Sequence, residues 1–218
     1  MNTRTRIKIC GITTIADAQE AVRSGVDALG FIFVEKSPRN ISPQKAKEII
    51  ACLPPFVDLV GVFIDGEINE LVEIIKDVGL SYAQLHGNED AEYCRQVARL
   101  AAPCKVIKAF RVGSESRAAD FAGYNDVVRG FLLDTHVKGQ AGGTGQAFDW
   151  RLIAGLALRR PVILAGGLQP ENILEAIRMV RPFGVDVNSG IEVSPGIKDH
   201  AKLHQLVSQV RTADNEPV

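Results

Sequence analysis

Four cysteines stand in a chain of 218 residues, and their places relative to the apolar runs decide which sulfur could do chemistry. Cys10 closes the β-branched run "RIKIC" and is followed at once by Gly11. A residue without Cβ lets the backbone turn sharply there and a ligand come close. A thiolate so placed would take a proton or attack carbon. Lys8 would add positive potential if it is near, although strand alternation alone does not say which way it points. The other cysteines are less suited. Cys94 falls in a helical core stripe, Cys104 follows Pro103 at the start of a strand, and Cys52 lies near the end of a helix. No CxxC spacing joins the four, and with only four histidines neither a zinc site nor a disulfide framework is indicated.

The carboxylates divide in the same way. Asp134 closes "GFLLD", Asp65 closes "VGVFID" and Asp186 interrupts "GVDVN". A carboxyl desolvated at the end of an apolar strand can keep its proton near neutral pH and deliver it as a general acid. Asp65, beside Gly66 and ahead of a helical stretch, reads as a cap of the next turn. Asp134 precedes a long polar loop and does not. Asp186 would fix loop geometry from inside a barrel mouth, and His86, ending "YAQLH", serves structure as readily as catalysis. Arg39 in "EKSPRNIS" could grip a carboxylate through paired hydrogen bonds. Two clusters, "LAGGLQPENI" with Gly166 and Gly167 and "VNSGIEVSPG" with Ser189 and Gly190, close successive strands. Backbone N–H groups gather round a phosphate at such places. "QAGGTGQAFDW", from Gln140, lacks the lysine and spacing of a P-loop and reads as a mobile lid after the sixth strand.

These residues need a frame that brings strand ends together. Eight apolar runs supply it: "RIKIC", "ALGFIFV", "DLVGVFI", "YAQLHG", "KVIKAFRV", "GFLLDT", "PVILAGG" and "GVDVNSG". They are continuous rather than alternating, as parallel strands covered on both faces are. Between them run helical stripes at i, i+3, i+4, i+7, such as Ala46, Ile49, Ile50 and Leu53, or Ile68, Leu71, Val72 and Ile75. Ser42-Pro43 offers an N-cap with proline at N1, Asn88 a cap for the fourth helix, and Gly25 and Gly79 helix stops. Eight units of roughly 27 residues make one closed (βα)8 TIM barrel, a single domain over residues 1–218. An open doubly wound sheet would carry a GxGxxG fingerprint after the first strand, which is missing. The fifth helix is expected to be short or irregular, and residues 212–218 to fray.

Composition narrows the partners. Twenty-five basic and 26 acidic residues leave a net charge of −1 with no long run of either sign, so neither nucleic acid nor an anionic membrane is an expected partner. No segment approaches 20 consecutive apolar residues and no signal-peptide stretch precedes the first strand, so a soluble, cytoplasmic protein acting on a small molecule is expected.

Taken in order, "KICGIT", "SPRNIS", "QLHG", "LLD", "GGTGQAFDW", "AGGLQPENI" and "DVNSGIE" resemble the phosphoribosylanthranilate isomerase family across nearly the whole chain. The resemblance implies an Amadori rearrangement of N-(5-phosphoribosyl)anthranilate to 1-(2-carboxyphenylamino)-1-deoxyribulose 5-phosphate, with neither cofactor nor metal. It implies Cys10 as general base and Asp134 as general acid. Arg39 would hold the anthranilate carboxylate, and the loops of Gly166, Gly167, Ser189 and Gly190 the phosphate. Gln146 stands where the family commonly has lysine and Gln169 where it often has threonine, which touches loop charge and capping alone. Another phosphosugar isomerase or epimerase barrel is the first alternative, but an epimerase in its usual form wants two opposed aspartates and a histidine-rich metal site. The second is a non-catalytic barrel that only binds a phosphorylated metabolite; the presence of Cys10 and Asp134 speaks against it. Monomer and homodimer both remain open.

Overall fold

Short strands and helices alternate along the chain, and the computed structural model describes residues 4–134 and 150–216. The lid expected within residues 140–150 lies almost wholly outside the described residues, as does Gln146. The strands are β1 (Arg6–Ile9), β2 (Ala28–Ile32), β3 (Asp58–Phe63), β4 (Tyr82–Leu85), β5 (Lys105–Arg111), β6 (Gly130–Asp134), β7 (Val162–Ala165) and β8 (Gly184–Val187). Between and after them come α1 (Ile15–Arg23), α2 (Pro43–Ile50), α3 (Ile68–Val78), α4 (Ala91–Leu100), α5 (Ala119–Ala122), α6 (Arg151–Ala154), α7 (Ile173–Val180) and α8 (His200–Asn215). All eight strands pair in parallel with their sequence neighbours, and β1 pairs with β8, Lys8 opposite Asp186, so the sheet closes into a (βα)8 barrel.

Closure sorts the side chains by the two-residue period of a strand. Outward residues such as Ile7, Ile9, Leu29, Phe31 and Leu85 join the helices in the main core. Inward residues form two smaller groups, Ile107, Ala109, Leu132 and Ala165 in one and Cys10, Ile32 and Val62 in the other. Cys10 is therefore an interior residue at the strand-end mouth.

Local chemistry explains the helix limits. Ser42 accepts from Lys45 N with Pro43 behind it, and α3 stops at Gly79 in the left-handed region, φ 76°. Leu71, Val72, Ile75 and Val78 of α3 are buried, each large side chain contributing about 1.5–3 kcal/mol. Three expectations need correcting. Asn88 does not cap α4, because its backbone N–H and side-chain amide both donate to Asp65; Asp90 accepts from Tyr93 N instead. Asp65 is for that reason tied to a neighbouring loop, and Glu67 caps α3. Residues 212–215 do not fray, since α8 runs to Asn215 with Asp214 accepting from Thr5 N at 2.8 Å and Glu216 paired with Arg178. The fifth helix is short, four residues, and aromatic packing holds it: Phe121 lies 4.6 Å from Phe110 and 5.3 Å from Phe131 between ring centres. A small antiparallel hairpin, β9 (Glu192–Ser194) with β10 (Ile197–Lys198), follows β8 and has no counterpart among the eight expected runs.

Candidate active site

Beyond β1 the chain turns at Gly11 with φ +72°. A Cβ there would lie 2.7 Å from Asn188 Oδ1 and 2.9 Å from Arg39 Cδ. Two side chains of the protein itself, those of Asn188 and Arg39, come close to Gly11. Arg39, brought in by the loop after β2, forks onto Glu192: Nε lies 3.0 Å from each carboxylate oxygen and Nη2 2.6 Å from Oε2. Glu192 also accepts from Lys198 Nζ at 2.8 Å, and Lys198 donates to Asn188 Oδ1 at 3.0 Å. Burial pushes Glu192 up, yet hydrogen bonds from Arg39 and Lys198 outweigh it and hold the carboxyl below its ordinary range. Burial pulls Lys198 down despite that carboxylate. The Nη1 edge of Arg39 stays outside the fork.

Inside the mouth, two residues before Cys10, Lys8 donates to both oxygens of Asp186 at 2.9 Å, the two side chains only 6% and 8% exposed. Asp186, read from sequence as fixing loop geometry from inside the mouth, pairs there with Lys8 of β1. Across from them on β2 stands Gly30, where a Cβ would lie 2.8 Å from Cys10 Sγ and 3.0 Å from Lys8 Nζ. Burial raises the Cys10 thiol above its ordinary value. Lys8 and Lys198 oppose that rise and Asp186 adds to it. Burial likewise works against charge on Lys8, but Asp186 and Cys10 prevail and raise it.

A second group sits where β4 and β6 end. The Oδ2 of Asp134 lies 3.3 Å from His86 Nε2, and His86 Nδ1 lies 3.1 Å from Gln84 Nε2. His86 thus stands between the Gln84 amide on its Nδ1 side and the Asp134 carboxyl on its Nε2 side. The loop bearing His86 is gripped from β5, where buried Lys108 donates to the carbonyls of Leu85 and Gly87, at 3.2 and 2.9 Å, and pairs with Glu89 at 3.0 Å. In sheet order β6 is separated from β1 by β7 and β8, so Asp134 and Cys10 face one mouth from different sides.

The strand ends between them carry the glycines. Gly166 and Gly167 both have positive φ, +89° and +64°. Asn172 ties the loop, its Nδ2 donating to Gly167 O at 3.0 Å and its Oδ1 accepting from Gln169 N at 2.9 Å. Ser189 and Gly190 form a single 3₁₀ turn after β8. Gly190 sits so close to the Leu168 carbonyl that a Cβ would come within 2.0 Å of its oxygen, which brings the two loops together.

Residues 7–209 match the model of the N-(5'-phosphoribosyl)anthranilate (PRA) isomerase family. The chain belongs to the phosphoribosylanthranilate isomerase family. A phosphoribosylanthranilate isomerase of Pseudomonas fluorescens is 50% identical over 206 residues, 94% of this chain and 98% of that one. The crystal structure of the phosphoribosylanthranilate isomerase of Thermotoga maritima superposes with a TM-score of 0.85 at 43% identity, covering 95% and 99% of the two chains. Another solved isomerase of the family, in complex with reduced 1-(o-carboxyphenylamino)-1-deoxyribulose 5-phosphate, has a TM-score of 0.82 at 41% identity over 95% and 99%.

The sequence motifs single out Cys10, Asp134 and Arg39 more readily than the charged groups around them. Glu192, Lys198, Asn188 and Gln84 were not anticipated. A signal for the first two exists in "EVSPGIK", two short β-prone stretches about a Pro-Gly turn. Lys8 also had a signal, since two residues before an inward Cys10 on a strand means the same face.

Proposed function

We propose that Asp134 and Cys10 are the acid and base of the family's aldose-to-ketose rearrangement in this chain, with N-(5'-phosphoribosyl)anthranilate as the substrate. Asp134 gives its proton to the ring oxygen while the anthranilate nitrogen pushes its lone pair onto C1, so the furanose opens to an iminium. The Cys10 thiolate then removes the proton at C2. The C–H electron pair becomes the C1=C2 bond and the iminium electrons return to nitrogen, giving an enolamine that tautomerises to the aminoketose. One proton must pass from the sulfur back to the carboxylate before the next turnover. The cationic nitrogen acidifies C2, so a thiolate suffices as base without becoming a covalent nucleophile.

The observation that supports this division is that Cys10 follows β1 and Asp134 ends β6, three strands apart round one barrel mouth, with the glycine loops of β7 and β8 between them. Arg39 supplies the carboxylate grip, through the edge not engaged by Glu192. The loops of Gly166, Gly167, Ser189 and Gly190 take the phosphate, and His86 orients Asp134. A cytoplasmic setting and action as a monomer or homodimer complete the proposal.

The test is to supply phosphoribosylanthranilate and follow the loss of its fluorescence. Cys10→Ala and Asp134→Asn should each lower kcat by at least roughly 10²-fold with the circular dichroism unchanged. Turnover near that of the unsubstituted chain in either variant removes that residue from the mechanism.

A further inference from the structure

Buried inside the barrel, a thiol gives up its proton only if the resulting anion meets a positive charge, because desolvation penalises every lone ion. Several charged groups surround Cys10, and each has other engagements. Arg39 and Lys198 both pair with Glu192, from the loop after β2 and from β10, and Lys198 donates to Asn188 as well. Asp186, on β8, is anionic and acts against a thiolate. Lys8 has three donors, of which Asp186 takes two directions at 2.9 Å. Its Nζ and the Cys10 sulfur both lie within 3.0 Å of the empty Cβ position of Gly30. Any other residue on β2 at that point would be driven into the sulfur, the ammonium and the Cys10 Cα, 3.1 Å away.

We propose that Lys8 is a positioning residue for the proton-accepting step: its ammonium, fixed by Asp186 and admitted by the bare Gly30, is the counter-charge beside which the Cys10 thiolate forms. This rests on Cys10 being the base. Lys8 neither touches the reacting carbon nor takes its proton. It acts through the sulfur, and the ion pair with Asp186 keeps the ammonium charged in a place where burial alone would strip it. Of the charged neighbours, Lys8 opposes the burial-driven rise of the thiol most strongly.

The experiment is a pH titration of the Cys10 thiolate by its ultraviolet absorbance, taken as the difference between each chain and the same chain carrying Cys10→Ser. Lys8→Met should move the midpoint upward by about one pH unit or more. Lys8→Arg, which keeps the charge, should stay close to the unsubstituted chain. The double variant Lys8→Met with Asp186→Asn leaves no unpaired carboxylate in the barrel, so it guards against a fold lost to a stranded charge. It should also shift upward, by less, because the opposing push of Asp186 goes with it. In steady-state kinetics Lys8→Met should lose kcat by about tenfold near neutral pH and regain it as pH rises, with KM little changed. A midpoint that does not move in the neutral variants, or that moves as far in Lys8→Arg, overturns the proposal. The titration reads the sulfur without turnover. Near-normal turnover in Cys10→Ala would therefore remove the base assignment and leave the measured coupling of Lys8 to Cys10 standing.

Discussion

At the scale of single residues the mouth of this barrel is a set of charges whose partners are other charges. Arg39 reaches the site already forked onto Glu192, and Glu192 in turn is shared with Lys198. Preorganisation of this kind lowers the entropy lost when a guanidinium meets its ligand. If Arg39 holds the substrate carboxylate, Glu192→Gln should raise KM by about tenfold, the size of one weakened charge-assisted hydrogen bond, with kcat little changed. An unaltered KM would mean that Arg39 keeps its place without Glu192. Sequence showed the cysteine, the aspartate and the arginine because each stands at a strand end or beside a turn. It could not show that Arg39 is engaged, because Glu192 lies 153 positions away and only the fold brings the two together. Lys8 shares a face with Cys10 by alternation, but which way that face points follows only from closure of the barrel, which turns Cys10 inward.

Among the elements, the loops after β7 and β8 are coupled, with Gly190 of one turn seated on the Leu168 carbonyl of the other. The N-cap residue of α7, Asn172, spends its side chain on the loop, on Gly167 O and Gln169 N, instead of on the helix. Gln169 O accepts from the N–H groups of Asn172 and Ile173, so the Asn172 side chain caps none of the next N–H groups of the helix. Inorganic phosphate or sulfate should compete with substrate at millimolar concentrations, and kinetics without any competitive component at high anion concentration would count against a phosphate site there. The strands were legible because buried parallel strands read as continuous apolar runs, and α2 and α3 because stripe and caps agreed. The cap of α4 was misread since Asn88 and Asp90 are equally good candidates by type. A long-range tie to Asp65 decided between them. The hairpin of β9 and β10 escaped notice because two strands of three and two residues carry too few positions for a period to show.

The molecule as a whole carries its remaining buried thiols in the outer core, and they set an alkaline limit. Burial pushes Cys94 up to about 12 and Cys104 up to about 11, against 9.0 ordinarily. Above pH 9 the unfolded chain releases these protons while the folded chain holds them, so ν is larger for the native state and stability falls as pH rises. Below pH 9 this contribution is fully present. Between pH 8 and 10.5 the unfolding free energy should drop by about 2–4 kcal/mol, read from urea midpoints. Substituting Cys104 by Ala should flatten that slope, and a stability constant over this span would show that both thiols ionise freely in the fold.

Closure of the barrel between β1 and β8 also has a bearing on synthesis. The ammonium of Lys8 and the carboxylate of Asp186 are 178 positions apart in the chain. Lys8 therefore leaves the ribosome well before its partner, by on the order of ten seconds or more at ordinary elongation rates. During that interval Lys8 and Cys10 have neither the anion nor the strand that will enclose them. They are better served by water than by a closed interior. A nascent chain thus completes the enclosure of Cys10 only with its last barrel strand, so an interrupted translation product leaves Lys8 and Cys10 without the buried pairing that the finished fold gives them.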